Sequence, residues 1–333
     1  MQKLKILINR LPTLDVIIVN WNSGAYLRLC LESIKADNHK CFTMSRVVIV
    51  DNASKDCSLD NLKGFHLPLI IIKNQENLGF AAACNRGAKG SRADYLLFLN
   101  PDIRLFRDSL SVPLIFMDQP RNEKVGITGI QLIDTSGQVS LNCARFPSPS
   151  QFFIGMLGFD KLFPKLFKGH FMREWNHGDT RIVDQVMGAF FLVRRSVFEE
   201  LDGFDERFFV YFEDLDFSHR AYQKGYMSCY LATAQAFHAG GGTSKQIKAR
   251  RIFYSLRSRI LYVYKHFNFF TATLVMSGTI LIEPFMRLIW AGLRRSIPEA
   301  YQTIHAYGLL FRALPDILKE TACKTKLKEN HLD

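Results

Sequence analysis

Residues 14–54, LDVIIVNWNSGAYLRLCLESIKADNHKCFTMSRVVIVDNAS, contain two apolar runs separated by a helical pattern. Leu14 to Val19 is apolar except for Asp15, which is typical of a strand that is buried on both faces, and Arg46 to Val50 is the next such strand. Between them, apolar residues from Tyr26 to Ile34 recur at helical spacing. This order of strand, helix and strand predicts an α/β fold with a largely parallel sheet.

The pattern continues along the chain. Leu67 to Ile72 and Tyr95 to Leu99 are two further predicted strands, with an Ala-rich helical stretch between them. Val186 to Val193 reads as another strand, and Glu213 to Gly225 as a helix that ends at a glycine. Residues 142–184 are rich in Phe, Pro, Gly and His without a clean period, which predicts an irregular, acceptor-side region.

The composition is that of a globular protein with an uneven charge. The 333 residues are 48% hydrophobic and carry a net charge of +12. From Lys245 onward there are 15 Lys and Arg against 6 Asp and Glu. A basic tail suits anionic lipid, a phosphorylated substrate or nucleic acid, but the tail lacks the aromatic platform of a nucleic-acid binder. For Lys324, Lys326 and Lys328 a solvated surface is the simpler interpretation.

The cysteines and the start of the chain indicate a reducing compartment. The seven cysteines are odd in number and none are at CxxC spacing, so neither a disulfide framework nor a zinc site is indicated. No apolar core long enough for a signal peptide precedes Pro12 and Asp15. We therefore expect the active part to stay in the cytoplasm.

The character of the chain changes after the glycines at 240–242, which we interpret as a hinge. We predict one domain over residues 1–244 and a basic, apolar helical region over 245–333, beginning with a helix from Lys248 to His266. Residues 269–282 are apolar but shorter than the ~20 residues that span a bilayer, and Glu283, Pro284 and Arg287 follow. An interfacial or re-entrant hairpin and a packed helical appendage both remain open, and the basic flank favours the membrane surface.

Three polar groups follow predicted strands, where ligands of parallel sheets collect. Asp51 comes directly after RVVIV and is placed to contact a ribose or a base, or else caps a turn. Asn77 and Gly79 open the Ala-rich helix, whose N-terminus favours an anion, or simply start that helix. Asn100 and Asp102 flank Pro101, which ends the strand YLLFL. A carboxylate at this position is suited to bind a hard cation, and capping is its alternative role.

A fourth group is Glu213-Asp214-Leu215-Asp216, which follows the aromatic run RFFVYF. Asp216 and Arg220 are spaced to pair on a helix, whereas Asp214 points elsewhere and suits a general base. An acidic helix start is the alternative. His238, before the glycines, is either a ligand for a metal or phosphate or an incidental linker residue.

Taken in order, these motifs resemble glycosyltransferase family 2, and most closely its rhamnosyltransferase branch. The matching strings are VIIVNWNSGAYLRLCLESI, VVIVDNASKD, NLGFAAACNRG, YLLFLNPD, VMGAFFLVRRSVFEELDGFDERFFVYFEDLDFSHRAYQKGY and FHAGGGTS. They run from Leu14 to Ser244, nearly three quarters of the chain. The resemblance implies a GT-A fold, a mixed but mostly parallel sheet and an inverting transfer of a sugar from a nucleotide diphosphate.

The resemblance also implies residue roles. Asp214 is the catalytic base, Asp102 the metal ligand, and His238 lines both the metal, Mg²⁺ or Mn²⁺, and the diphosphate. The donor side is implied at Val19, Asn20, Asp51, Asn77, Gly79, Asn100, Glu213, Arg220 and His238. LNPD replaces a DxD triplet, which leaves one carboxylate fewer for the metal.

The implied donor is dTDP-L-rhamnose, and the basic, apolar tail suggests a glycan or polyprenyl-linked acceptor at the cytoplasmic face of the inner membrane. A UDP or GDP sugar is an alternative donor. A nucleotidyltransferase is a rival, but it is expected to carry Lys or Arg in a phosphate loop after the first strand, where Asn20 to Gly24 has neither. A non-catalytic nucleotide-sugar or membrane binding protein is the other rival. The sequence leaves the oligomeric state open.

Overall fold

A mixed sheet forms the centre of the molecule in the computed structural model, which describes residues 10–37, 39–60, 62, 64–240 and 248–329, with side chains to Thr321. Its strands, together with a separate β7–β9 ribbon, are β1 (Thr13–Asn20), β2 (Thr43–Asp51), β3 (Leu69–Lys73), β4 (Tyr95–Leu99), β5 (Ile103–Leu105), β6 (Val125–Ile133), β7 (Cys143–Ala144), β8 (Arg181–Val183), β9 (Gln185–Val186), β10 (Phe190–Arg194) and β11 (Met227–His238). The helices are α1 (Tyr26–Ala36), α2 (Phe80–Ala88), α3 (Ser111–Asp118), α4 (Pro149–Leu157), α5 (Phe159–Leu162), α6 (Arg195–Glu200), α7 (Glu213–Gln223), α8 (Lys248–His266), α9 (Phe269–Leu281), α10 (Glu283–Leu293) and α11 (Ile297–Glu329).

The strand order confirms the predicted mixed, mostly parallel sheet. Within the described residues the order is β3-β2-β1-β4-β10-β6-β11-β5, with β8 also pairing to β11. Strands β3, β2, β1 and β4 are mutually parallel, and β10 runs antiparallel between β4 and β6. The carboxyl ends of β1, β2 and β4 therefore meet at one edge, and the chain enters β10 at that same edge.

The continuous apolar pattern of β1 reflects burial on both faces of the sheet. Ile18 packs in a core with Leu27 of α1, whereas Ile17 packs on the other face with Cys84 of α2. Helix α2 lies close to the sheet because its small residues leave room; a Cβ on Gly87 would lie 2.6 Å from Cγ2 of Ile17. This close packing brings the start of α2 to the edge where the parallel strands end.

Two predictions about the middle of the chain are wrong. The predicted strand from Val186 to Val193 is split into β9 and β10 by a turn at 187–189. Residues 142–184 are not irregular throughout, since they contain β7, α4, α5 and β8. Helix α4 begins with a capping box in which Ser148 accepts from the backbone of Gln151 and the Gln151 side chain accepts from Ser148 N–H, a local signal of a helix start that has no periodicity.

The C-terminal helices pack on the rest of the molecule. Helix α8 matches the predicted bounds and shares an apolar cluster with α4, α7, α9 and α11. Of the two alternatives left open for the segment after it, the hairpin is not formed, because helical hydrogen bonds continue across Ile282, from its N–H to Gly278 O at 2.9 Å and from Met286 N–H to Ile282 O at 3.2 Å. By length and composition, Phe269–Leu293 is the one helical stretch among the described residues able to cross a membrane, with 28% of its most apolar window buried.

Some predictions fall outside the described residues. These are the N-terminal residues 1–9, the part of the hinge at Gly241 and Gly242, the motif residues Thr243 and Ser244, the boundary between 244 and 245, and the side chains of Cys323, Lys324, Lys326 and Lys328. The division into two domains stays a prediction.

Candidate active site

A cavity of about 740 Å³ opens at the edge where β1 and β4 end. Its wall includes the following residues: Val19, Trp21, Asn52, Asn77, Gly79, Asn100, Asp102, Met187, Gly188, Ala189, Phe209, Glu213, Asp214, His238, Arg250, Arg251 and Tyr254. Of the eleven predicted site residues, Val19, Asn77, Gly79, Asn100, Asp102, Glu213, Asp214 and His238 are brought together here. They come from five separate parts of the chain, and the topology of the sheet explains why they meet.

Asp102 and His238 form a pair at one side of the cavity. Nε2 of His238 lies 3.4 Å from Oδ1 of Asp102. The antiparallel pairing of β11 with β5 sets His238 opposite Ile103, and the N–H of Ala239 donates to the Asp102 carbonyl at 3.1 Å. Two residues 136 positions apart in the sequence are thus held together by strand register.

This pair fits a divalent cation that is bound jointly with a substrate. Carboxylate oxygen and imidazole nitrogen are both ligands of Mn²⁺, and Mg²⁺ commonly takes one or two carboxylates with the rest of its ligands from phosphates and water. Within the part of the chain that the structure describes, no cluster of three or more His, Cys, Asp or Glu side chains is suited to hold a metal. A cation held by this pair would need further ligands from outside the described side chains.

Asp214 stands at the first turn of α7 and faces the turn that separates β9 from β10. Its Oδ2 accepts from the N–H of Gly188 at 2.7 Å, and its Oδ1 accepts from the N–H of Leu215 at 2.8 Å. Burial raises the pKa of the Asp214 carboxyl above its ordinary value, although these two backbone hydrogen bonds act in the opposite direction. The result is an oriented carboxylate that is more basic than an exposed aspartate.

Glu213 lies beside Asp214 and is more deeply buried, at 5% exposure. Its Oε2 has no hydrogen-bond partner among the described residues. Burial, together with the negative charge of Asp214, raises the pKa of Glu213 well above its usual range. Two adjacent buried carboxyls do not readily ionise together, so the negative charge is concentrated on one of them.

The start of α2 forms the opposite wall. The Asn77 side chain accepts from the N–H of Gly79 at 2.9 Å, and the N–H of Phe80 donates to the carbonyl of Phe209 at 2.6 Å. Gly79 has a φ of +87°, and a Cβ there would lie 2.4 Å from Phe209 O. Glycine is therefore required at this position both by its backbone conformation and by the contact.

Three predicted donor residues lie away from the cavity wall. Asn20 and Asp51 are buried and bonded to each other, with Asn20 Nδ2 donating to Asp51 Oδ1 at 2.7 Å. Arg220 pairs with Asp216 at 2.8 Å and donates to the carbonyls of Leu201 and Gly203. The role of Arg220 at the donor stays a prediction, and in the structure its guanidinium holds α7. The Asn20–Asp51 hydrogen bond joins the ends of β1 and β2.

Sequence reasoning missed several residues that line the cavity. Asn52 lines the cavity, and its Nδ2 donates to the Gly79 carbonyl at 3.0 Å, which connects the end of β2 to the start of α2. Arg250, Arg251 and Tyr254 reach the cavity from the first two turns of α8. In the sequence these arginines belong to the predicted basic helix from Lys248 to His266, and no local signal shows that this helix returns to the sheet edge.

Helix α8 is held in place by Asp216, the last carboxylate of the acidic motif. Oδ1 of Asp216 lies 2.6 Å from Nζ of Lys265 and 2.8 Å from Nε2 of His266. Burial opposes its ionisation, but the hydrogen bond from His266 and the charges of Lys265 and Arg220 lower the pKa of Asp216 to about 2. The predicted Asp216–Arg220 pair is confirmed, and the structure adds the two partners from α8.

Two comparisons with curated proteins bear on this arrangement. The N-acetylglucosaminyl-diphospho-decaprenol L-rhamnosyltransferase of Mycobacterium tuberculosis is 26% identical over 238 residues, covering 68% of this chain and 75% of that protein. Rhamnosyltransferase WbbL of Escherichia coli K12 is 26% identical over 263 residues, covering 74% of this chain and 91% of that protein.

Solved structures share the fold. Mannosyltransferase PcManGT from Pyrobaculum calidifontis, in complex with GDP-Man and Mn²⁺, superposes with a TM-score of 0.54 at 17% identity, covering 93% of this chain and 83% of that chain. Residues 1–349 of TarS from S. aureus, in complex with UDP-GlcNAc, give a TM-score of 0.54 at 15% identity, covering 90% and 81%.

These likenesses confirm the GT-A fold that the motifs led us to expect. The family profile described as Glycosyl transferase family 2 matches residues 15–202, more than half of the chain. The chain belongs to glycosyl transferase family 2 and is a glycosyltransferase.

Proposed function

We propose that the protein transfers L-rhamnose, with inversion, from dTDP-L-rhamnose to a hydroxyl of a polyprenyl diphosphate-linked sugar in cell-surface glycan synthesis. The observation that carries the proposal is the meeting of Asp214, Asp102 and His238 in one cavity with two arginines. The names of the two curated relatives support the choice of rhamnose, and one of them names a diphospho-decaprenol acceptor.

The donor is bound at the carboxyl ends of the parallel strands. Val19 and Asn52 lie at the ends of β1 and β2 and form the wall for the nucleoside. Gly79 begins α2, whose helix dipole favours an anion at this wall, and the N–H groups of Gly79 and Phe80 are already bonded to Asn77 and Phe209. Asn77 and Asn100 complete this side with uncharged polar groups.

Asp214 accepts the proton of the acceptor hydroxyl as that oxygen attacks the anomeric carbon from the face opposite the diphosphate. The bond between the anomeric carbon and the diphosphate oxygen breaks as the new glycosidic bond forms. The two backbone hydrogen bonds to Asp214 keep its carboxylate oriented, and its raised pKa makes it a better proton acceptor.

Arg250 and Arg251 balance the negative charge that develops on the leaving diphosphate. Among the described residues that line the cavity, these two arginines are the ones with a permanently charged basic side chain, and neither forms an ion pair with another described residue. Asp102 and His238 would hold a Mg²⁺ or Mn²⁺ ion, which when bound supplies further positive charge to the diphosphate.

Peripheral attachment to the cytoplasmic face of the inner membrane follows from the same proposal, since a polyprenyl acceptor lies in the bilayer. Helices α9 and α10 expose Phe269, Phe270, Leu281, Phe285 and Leu293, each at least 64% accessible. Large apolar side chains exposed together mark an interaction surface and not an ordinary solvated helix.

The test is turnover by purified full-length protein across a panel of nucleotide sugars, with Mg²⁺, Mn²⁺ or EDTA and with lipid-linked acceptor. Wild type is compared with Asp214→Asn and with the exposed control Asp118→Asn. We expect metal-dependent consumption of dTDP-rhamnose that falls about 10²–10⁴-fold in Asp214→Asn and is unchanged in the control.

Each other outcome has a defined meaning. Turnover of a UDP or GDP sugar retains the glycosyltransferase and discards the rhamnosyl donor. Equal turnover with a soluble acceptor in the absence of membrane discards the polyprenyl acceptor. Donor binding without turnover of any sugar supports a non-catalytic binding protein.

A further inference from the structure

A second cavity, of about 600 Å³, lies between α5, the start of α8, the end of α10 and the start of α11. Its wall includes Lys161, Leu162, Lys248, Arg287, Trp290 and Arg294. It shares none of its lining residues with the cavity that contains Asp214, but the two adjoin at α8, where Lys248 lines one and Arg250 the other.

Positively charged side chains outnumber negatively charged ones on the wall of this cavity. Glu283 is buried and fully engaged, since it pairs with Arg259 and, at 2.7 Å, with Arg287. Arg294 has a loose, exposed contact of 3.6 Å with Glu299. Lys161 and Lys248 are exposed and form no ion pair within the described residues. The uncompensated ammonium groups favour an anionic ligand.

Trp290 adds a hydrogen-bond donor to these charges. It lines the cavity, and its Nε1 is buried without a hydrogen-bond partner in the described part of the chain. Gly158 permits this position, because a Cβ there would lie 3.0 Å from Nε1. A buried indole N–H normally has an acceptor, and an oxygen of a bound anion would provide one.

The rim of the cavity is apolar. Leu162 lines the cavity at 47% exposure, and Phe163 and Leu166, which follow it in the chain, are 54% and 75% exposed. Leu293 and Ile297, which are adjacent in sequence to the lining residues Arg294 and Ser296, are 70% and 82% exposed. A soluble anion does not need such a rim. A cationic recess surrounded by exposed apolar side chains matches the membrane interface, where phosphate lies directly above the acyl chains.

We propose that this second cavity binds the phosphate headgroup of an anionic phospholipid, with the apolar rim inserted at the boundary of the acyl chains. The proposal rests on the proposed membrane attachment and names the site responsible for it. Because Lys248 and Arg250 lie in the same helical turn, lipid bound here would hold the mouth of the active-site cavity at the bilayer surface.

The test is flotation of the full-length protein with vesicles of phosphatidylcholine alone and of phosphatidylcholine with phosphatidylglycerol. The site variant is Lys161→Gln, Lys248→Gln and Arg294→Gln combined. The matched control is Lys89→Gln, Arg92→Gln and Lys124→Gln combined, which removes the same charges from exposed positions near the amino ends of β4 and β6. Thermal melting and affinity for dTDP verify that both are folded.

We expect wild type to favour the anionic vesicles and the site variant to bind them about 100-fold less tightly, with the control near wild type. Equal losses in both triple variants would show a diffuse charge effect and overturn the proposal, as would unchanged binding of the site variant. Neutral vesicles containing a polyprenyl diphosphate form a further arm. If the site variant loses binding to those alone, the cavity takes the acceptor and the phospholipid assignment is wrong.

The readout uses no sugar donor, so it separates this proposal from the proposed reaction. A protein that turns over no nucleotide sugar but loses vesicle binding in the site variant retains the lipid site. A rhamnosyltransferase whose vesicle binding is unaffected retains its reaction and loses the lipid site.

Discussion

The backbone N–H of Gly188 donates to Oδ2 of Asp214 at 2.7 Å, which joins the turn between β9 and β10 to the first turn of α7. A Cβ on Gly188 would lie 3.3 Å from the same oxygen. The proposed base is therefore oriented by a backbone segment 26 residues earlier in the chain.

Replacing Gly188 with alanine tests this orientation. We expect Gly188→Ala to displace the Asp214 carboxylate and lower kcat by about tenfold or more, since small misplacements of catalytic groups have costs up to 10². Affinity for dTDP, measured by calorimetry, is expected to stay near wild type. Gly308→Ala is the control, because a Cβ there meets nothing within 4 Å. Equal activity of the two variants would contradict the role of Gly188.

The raised pKa of Asp214 predicts a pH dependence. The base acts in its ionised form, so raising its pKa moves the acidic limb of kcat/KM to higher pH. We expect the inflection above the ordinary aspartate value of about 3.9. Circular dichroism over the same range checks that the protein remains folded. An inflection at or below the ordinary value would show that the hydrogen bonds from Gly188 and Leu215 outweigh burial.

Asp216 is predicted to stabilise the fold through its partners on α7 and α8. Asp216→Asn removes a buried carboxylate that pairs with Arg220 and Lys265, of which Lys265 keeps its pair with Asp205. We expect a loss of up to about 3–5 kcal/mol in the free energy of unfolding at pH 7 by urea denaturation. The exposed control Asp118→Asn is expected to change it by less than about 0.5 kcal/mol.

The same carboxyl predicts how the loss varies with pH. Its folded pKa of about 2 is below the ordinary value, so its contribution is complete above about pH 4 and is lost as pH falls towards 2. The difference between wild type and Asp216→Asn is therefore expected to shrink on acidification. A difference that stays constant down to pH 2 would argue against an ionised Asp216.

Gly79 is predicted to tolerate no side chain. Gly79→Ala would place a Cβ 2.4 Å from Phe209 O and strain a φ of +87°. We expect weaker binding of dTDP and a lower melting temperature. Gly137→Ala separates the two causes, since its φ is +77° but a Cβ there meets nothing within 4 Å. It should show only the strain, of order 1 kcal/mol. Matching losses in both variants would mean that the contact with Phe209 is unimportant.

His238 is predicted to contribute to metal binding together with Asp102. We expect His238→Ala to raise the Mn²⁺ concentration needed for half-maximal activity by about tenfold or more, with kcat partly restored at high Mn²⁺. Binding of Mn²⁺ in the presence of dTDP, followed by electron paramagnetic resonance, should weaken in parallel. An unchanged Mn²⁺ dependence would remove His238 from the metal site.

The sequence by itself determined the sheet and much of the site. Strands β1, β2 and β4 are buried on both faces, so their apolar runs were continuous and recognisable. Asp102 and Asp214 were found because they adjoin elements with clear boundaries, a strand ended by Pro101 and the start of an acidic helix. A strand, a helix or a site residue could be predicted from the sequence where a single element showed both its type and its boundary.

Only the tertiary structure decided which distant groups meet. The register of β5 and β11 places His238 beside Asp102. The buried ion pairs of Asp216 help to hold α8 against the rest of the molecule, and Arg250 and Arg251 of this helix line the cavity. The same pairing places Arg220 outside the described wall of the cavity. Neither effect is visible in local periodicity, because a charged side chain is assigned its role by the partners that folding brings to it.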